Sequence, residues 1–292
     1  RLSALAIGRD NHFNLILFLA AVAVLVSHAW PLALGRGTVE PLKTALGYSL
    51  GELAVFVFFG LSGFFIAGSY DRQGSALSFV MARAARLLPG LAVSILIVAL
   101  IMGPLVSRLD AGTYLSHPDT VQFIVQNILL FKPQYTLPGV FTTNPYPTVE
   151  GSIWTLAPYL GDLIHPRLQQ TRLLSLPFVF GASCWIWRDY ITLRWPFVVG
   201  LIVLTWAVHA TVFAFPMLAL AVTYTSLWAG YCKLDPLLMF NRVGDYSYGI
   251  YIYAMPLQGL VVWVWGDMTP ALNIALALPL TLLSAVLSWH WI

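Results

Sequence analysis

Residues 13–34 read FNLILFLAAVAVLVSHAWPLAL, without a single Asp, Glu, Lys or Arg. As a helix, such a run reaches across about 30 Å of hydrocarbon. Comparable uncharged runs recur at 53–70, 87–107, 195–232, 246–266 and 268–292. Of the 292 residues, 59% are hydrophobic and 9% charged, where a globular domain carries about 25% charged residues. That is more apolar surface than a water-facing shell can cover. The composition therefore predicts an all-α, polytopic transmembrane helix bundle. It forms one membrane-embedded domain over 1–292, with no room for an appended soluble domain.

The uncharged windows predict the layout. Span one is 13–34, span two 53–70 and span three 87–107, with 71–86 as a polar, basic connector. The polar stretch 108–150 contains one apolar piece, TVQFIVQNILLF, too short to cross and so re-entrant or interfacial. A fourth span begins near GSIWTL at 151–156, and 173–187 is a short span. Residues 195–232 suffice for two spans turning near Phe215–Pro216, and 246–266 and 268–292 complete the set. The N-terminus lacks the features of a cleaved signal peptide, so span one is expected to remain. Arg1, Arg9, Arg72, Arg83, Arg86, Arg188, Arg194, Lys233 and Arg242 then share one side of the membrane, against Arg36, Lys43, Arg108 and Lys132 on the other. The positive-inside bias predicts cytoplasmic N- and C-termini. Parity exposes a defect: one crossing is missing between 157 and 172, because GDLIHPRLQQ holds Asp162, His165 and Arg167 and cannot cross lipid as a bare helix. About ten spans are expected in the full protein.

A polar side chain in lipid is costly and calls for a reason. His28, in VLVSHAWPL, lies well into span one, where a helix ending at Pro31 would leave the imidazole on the floor of an outward-facing cavity. An imidazole can take and return a proton near neutral pH; the competing reading is a packed, hydrogen-bonded histidine. Arg83 and Arg86 in MARAARLLPGL are spaced to share one helix face. Two guanidinium forks suit a phosphate or pyrophosphate, and ordinary positive-inside anchoring explains them as well. Arg72 belongs to the same rim. In span two, Gly60, Ser62, Gly63, Gly68 and Ser69 permit close helix packing or line a narrow tunnel. His209 reads as a packing histidine, and Cys184 and Cys232 as packing residues rather than a disulfide. The net charge of +3 comes from few residues. No basic–aromatic groove for nucleic acid and no metal-ligand spacing is visible.

These pieces, in this order, resemble the acyltransferase 3 family of integral-membrane O-acyltransferases. The similarity rests on NHFNLILFLAAVAVLVSHAWPL at 11–32, VFVFFGLSGFFIAGSY at 55–70, ARAARLLPGL at 82–91, LPGVFTTNPYPTVEGSIWTL at 137–156, LLSLPFVFGASCWIWRDYI at 173–191 and VGDYSYGIYIYAMPLQ at 243–258. The closing LSWHWI is similar to a last span stopping short of the family's cytoplasmic tail.

The resemblance implies transfer of an acyl group, acetyl by expectation, from cytoplasmic acyl-CoA to a hydroxyl of a sugar, a cell-surface polysaccharide or its lipid-linked precursor. The setting would be a bacterial inner membrane, with no metal and no nucleic acid involved. His28 is implied as the catalytic histidine, and Arg83 and Arg86, with Arg72 on the rim, as the acyl-CoA-binding cations. Ser62, Glu150, Ser152, Trp154, Thr155 and Tyr251 are expected to line the acceptor site or tunnel, Tyr251 within a group that includes Tyr246, Tyr248 and Tyr253. Direct transfer and an acyl-histidine intermediate both fit. The chain departs from the family pattern in three places. Leu17 stands eleven residues before His28, where a basic residue is usual. Glu150 stands where Asn is usual, and the acidic residue expected after W-T-L is not seen in APYL. The competing class is a transporter or flippase of a lipid-linked sugar without acyl-transfer chemistry, which an intramembrane His and a basic rim also suit; transporters often carry inverted repeats, and none is visible.

Overall fold

A backbone segment in lipid satisfies its own N–H and C=O groups only as a helix or a closed barrel, and this chain uses helices. The computed structural model describes residues 1–6, 10–73, 75–153, 168–232 and 235–292. Of the described residues 74% are helical and none lies in a strand. The elements are α1 (Leu2–Leu5), α2 (Phe13–Leu34), α3 (Pro41–Leu46), α4 (Leu50–Gln73), α5 (Ala76–Ile97), α6 (Gly103–Val106), α7 (Ala111–Ser116), α8 (Pro118–Ile128), α9 (Leu168–Ile186), α10 (Trp195–Ala207), α11 (Ala214–Gly230), α12 (Ser247–Trp265) and α13 (Pro270–Trp291). A π-helical turn, Val98–Met102, joins α5 to α6, and a 3-10 helix occupies Asp235–Arg242. Among the described residues, four helical stretches are long and apolar enough to cross a membrane: Phe13–Leu34, Leu50–Arg72, Ala84–Val106 and Pro270–Trp291. Leu105, Trp206, Val212 and Trp291 are largely exposed, as lipid-facing side chains are.

The helix boundaries correct several expectations. The stretch 71–86 is not a connector of its own: α4 runs to Gln73 and α5 starts at Ala76. ALSFVMARAARLL is rich in helix formers, so its polarity marks where the chain leaves hydrocarbon, not where the helix ends. Helix α2 does not stop at Pro31 but continues to Leu34, where the Gly35 N–H closes on the Pro31 carbonyl at 2.9 Å. The turn between α10 and α11 falls at 208–213 rather than at Phe215–Pro216. Pro216 lies in the first turn of α11, where its missing N–H would have had no intrahelical acceptor. The short apolar piece after residue 117 becomes α8, eleven residues long, too short to cross. Helix α9 starts at Leu168, five residues before the expected start at 173; most of the interval 157–172, where a crossing is missing by parity, lies outside the described residues.

The described residues group into two compact units. The first comprises Arg1–Ala20, Glu52–Met81 and His165–Asp245. Its small residues serve contact between backbones. A Cβ on Gly63 would overlap the Phe178 carbonyl, and a Cβ on Gly181 would overlap the Gly60 carbonyl oxygen, so α4 and α9 touch without intervening side chains. Gly60 also packs against Thr223 of α11. Leu2, Phe13, Leu61, Phe64, Cys184 and Leu227 close the core beside this contact. Cys184 and Cys232 are both free thiols.

The second unit comprises Ala21–Gly51, Ala82–Ile164 and Tyr246–Ile292. Its π turn has an identifiable cause. The Gly103 N–H reaches past Ala99 to the Val98 carbonyl, and Pro104 has no N–H to offer. The Ala99 carbonyl, left without a helical donor from either, accepts the buried Tyr114 hydroxyl at 2.9 Å. Only glycine fits at 103, because a Cβ would overlap that same hydroxyl. Burial pushes the Tyr114 pKa up to about 12, so the hydroxyl stays a donor at any ordinary pH.

Tyr114→Phe leaves the Ala99 carbonyl buried and unpaired, and should cost about 1–3 kcal/mol. Thermal unfolding in detergent reads this against Tyr190→Phe, an exposed site that should be neutral. Gly181→Leu forces two helix backbones apart and should cost at least about 3 kcal/mol, visible as loss of monodisperse protein on gel filtration.

Candidate functional site

Helix α12 organises the site in the second unit. Its residues Tyr248, Tyr251, Met255 and Gln258 recur at spacings of three and four, so they form one stripe along the helix. The Tyr248 hydroxyl donates to the Leu87 carbonyl of α5 at 2.8 Å, next to Arg86. One turn on, the Tyr251 hydroxyl donates to the Ser152 carbonyl at 2.8 Å. At the next turn Gly151 lies against the Met255 sulfur, where a Cβ would approach to 2.6 Å. Gln258 then donates from Nε2 to the Leu25 carbonyl of α2 at 2.9 Å. Leu25 lies three residues before His28, less than one turn away on nearly the same side of α2.

The segment after α8 is brought onto this stripe by its own polar clamps. Asn127 takes the Gln134 N–H on Oδ1 at 2.8 Å and donates from Nδ2 to the Gln134 carbonyl at 3.0 Å. The Tyr135 carbonyl accepts the N–H groups of both Val149 (2.8 Å) and Glu150 (3.2 Å). Phe141, at φ 55°, and Asn144 hold the other end, Asn144 donating from Nδ2 to the Gly259 carbonyl at 2.9 Å. From Gly259 through Met255 to Tyr251, the segment 141–152 therefore descends α12 turn by turn.

Two functional groups meet this scaffold incompletely bonded. His28 is half-buried, with Nδ1 shielded and without a hydrogen-bond partner among the described residues. Glu150 is 1% exposed, and neither carboxyl oxygen has a partner among the described residues. Burial pushes the Glu150 carboxyl well above the usual carboxylate range. Arg86 is exposed on α5, one helical turn after Arg83. The backbone thus places R-x-x-R on one helix face; the Arg83 side chain lies outside the described residues. Counting ten residues from Tyr248 to Gln258, and a further turn to His28, separates Arg86 from His28 by roughly 20 Å along α12.

The other expected residues distribute unevenly. Ser152 and Tyr251 are buried on the α12 stripe. Trp154 and Thr155 lie outside the described residues. Of the four tyrosines, Tyr246 faces His290 at 3.4 Å and Tyr253 faces Ser288 at 3.4 Å, both on α13; only Tyr251 meets the 150–153 segment through its hydroxyl. Ser62 and Arg72 belong to the first unit. Ser62 is half-buried in α4 among the glycines of the α4–α9 contact. The Arg72 guanidinium lies 5.7 Å from the Trp185 ring centroid. Arg188 stacks on the same ring at 4.4 Å and pairs with Asp71 at 3.3 Å. Sequence reading missed this cluster, although Trp185 and Arg188 at i, i+3 on either side of a helix end signal it. His209 is not a packing histidine inside a span: it is exposed in the turn after α10, with Nδ1 at 2.7 Å from the Trp206 carbonyl. Leu17 packs against the apolar core of the first unit, as its departure from a basic residue requires.

Comparison with known proteins identifies relatives of this chain. The family described as an acyltransferase domain matches residues 11–160, which contain His28, Arg83, Arg86, Glu150 and Ser152. An O-acetyl transferase of Shigella phage Sf6 is 25% identical over 301 residues, covering 87% of this chain and 86% of its own. Nodulation protein 10 of Rhizobium leguminosarum bv. viciae is 38% identical over 96 residues, covering 32% of this chain and 25% of its own. No solved structure matches. With the family match spanning more than half its length, the chain is an integral-membrane member of the acyltransferase 3 family.

Proposed function

We propose that the protein transfers an acyl group, acetyl in the first instance, from cytoplasmic acyl-CoA to a hydroxyl of a sugar, a cell-surface polysaccharide or a lipid-linked precursor in a bacterial inner membrane. The observation that carries this reading is the placement of His28 and Arg86 at two levels along one helix, α12, in the unit that also holds most of the matched family residues. The name of the phage relative, an O-acetyl transferase, supports oxygen as the accepting atom and acetyl as the group. The excess of Lys and Arg on one side supports cytoplasmic termini and a cytoplasmic Arg83–Arg86 face.

In this reading Arg83 and Arg86 hold the CoA phosphates by paired, charge-assisted hydrogen bonds. The thioester arm extends along α12 toward His28, over a distance that an elongated ligand covers and a compact one does not. Neutral His28 takes the proton of the acceptor hydroxyl as its oxygen attacks the thioester carbonyl. The tetrahedral centre collapses, the C–S bond breaks, and the imidazolium returns the proton to the departing thiolate. The products are an O-acyl ester and CoA, with protons and electrons balanced. Positioned acid–base catalysis supplies about 10²–10⁴-fold; anchoring of both substrates must supply the remainder. Ser152 and Tyr251 are assigned to the walls of the acceptor path.

His28→Ala should lower transfer from labelled acetyl-CoA by at least about 10²-fold while the detergent-solubilised protein keeps its melting profile; full activity removes the proposed base. Arg83→Ala with Arg86→Ala should raise KM for acetyl-CoA at least about tenfold with kcat little changed, as expected when two charge-assisted contacts of about 1.5–3 kcal/mol each are removed. An unaltered KM leaves the pair as a topological anchor only.

A further inference from the structure

Glu150 is the one carboxyl in the second unit that is fully enclosed with both oxygens unpartnered among the described residues. Its backbone N–H is held by the Tyr135 carbonyl, the next residue, Gly151, lies against Met255 of α12, and its carboxyl is close enough to Tyr248 of the same helix to interact with it electrostatically. Glu40, the other buried acid of this unit, shows the contrast: its Oε1 accepts the Leu50 N–H at the start of α4. A lone carboxylate without cation or donor costs several kcal/mol to bury, and neither meets the Glu150 oxygens among the described residues, which favours the neutral acid. A neutral carboxyl has an O–H to give, and nothing in the described structure receives it.

Its position says what would. The stripe on α12 places Gly151 at Met255, between the Tyr248 level beside Arg86 and the Gln258 level beside Leu25. Glu150, the preceding residue, thus lies between the Arg86 and His28 levels, about two helical turns short of the imidazole's level. We propose that Glu150 is a catalytic residue that donates its carboxyl O–H to the thioester carbonyl oxygen as negative charge develops there. The inference rests on the acyl-transfer reading above. No bond to Glu150 is made or broken: the O–H stays on the carboxyl and its hydrogen bond strengthens as the carbonyl carbon becomes tetrahedral, then relaxes when the thiolate leaves. Gln258 cannot substitute, because its Nε2 is engaged by Leu25 and Asn273 and its free Oε1 is an acceptor.

The test compares wild type, Glu150→Gln and Glu150→Leu for kcat and KM with labelled acetyl-CoA, alongside infrared spectra of the purified protein in detergent. An amide retains a donor, so Glu150→Gln should keep kcat within about tenfold. Removing one oxyanion donor costs about 10²–10³ in kcat, so Glu150→Leu should fall by that factor with KM unchanged. The wild-type spectrum should show the carbonyl stretch of a buried protonated carboxylic acid at neutral pH, absent from Glu150→Gln. Glu150→Leu matching wild type overturns the proposal, as does Glu150→Gln as inactive as Glu150→Leu, or the absence of a protonated-acid band. If Glu150→Leu does not fold, the glutamine variant and the spectrum still decide. Wild-type protein that transfers nothing overturns the acyl-transfer reading and this inference together; an active wild type with unaffected variants overturns this inference alone.

Discussion

Gln258 ties three helices of the second unit together through one side-chain amide. Its Nε2 donates to the Leu25 carbonyl of α2 and to Asn273 Oδ1 of α13, both at 2.9 Å, and Asn273 returns a bond from Nδ2 to the Gln258 carbonyl at 3.1 Å. All three residues are fully buried. In lipid the hydrophobic effect does not press helices together, so packing and such hydrogen bonds must do so. Because the amide reaches Leu25, it also fixes the rotation of α2 less than one turn before His28. The direction of the candidate base is set by a residue more than two hundred positions away in sequence.

The two units solve the same problem by different means. In the first, Gly60, Gly63 and Gly181 remove side chains so that α4 and α9 approach backbone to backbone and the Thr223 side chain of α11 seats on Gly60, gaining dispersion contacts. In the second, hydroxyls and amides bond backbone carbonyls of neighbouring elements: Tyr114 at the π turn, Tyr248 at Leu87, Tyr251 at Ser152, Asn144 at Gly259. Irregular backbone is expensive at membrane depth and is tolerated where protein encloses it. The segment 129–153 is irregular backbone, and it carries the enclosed acid of the second unit whose two oxygens lack partners among the described residues. Around α12 the buried side-chain atoms left without partners among the described residues include Gln258 Oε1 as well as the His28 and Glu150 groups assigned to chemistry.

Family membership narrows what these groups do without dictating how this chain does it. Leu17, in place of a basic residue, joins the apolar core of the first unit, so any positive charge required near His28 comes from elsewhere. Arg72, grouped in sequence with Arg83 and Arg86, stands over Trp185 beside the Asp71–Arg188 pair. An exposed pair of that kind contributes little to stability.

The helical membrane class, the main apolar spans, the placement of His28 within one of them and the shared face of Arg83 and Arg86 were legible in sequence. Hydropathy and helical periodicity are properties of neighbouring residues, and a backbone in lipid has few alternatives. Helix ends were less legible: the 71–86 stretch and Pro31 misled because polarity and a single proline change the cost of a helix without always ending it. Tertiary structure alone decided that Tyr251 rather than Tyr246 or Tyr253 turns to Ser152, that His209 sits exposed in a turn, and that Glu150 is enclosed without a partner. Burial and hydrogen-bond satisfaction are sums over segments distant in the chain, so no local pattern could have stated them.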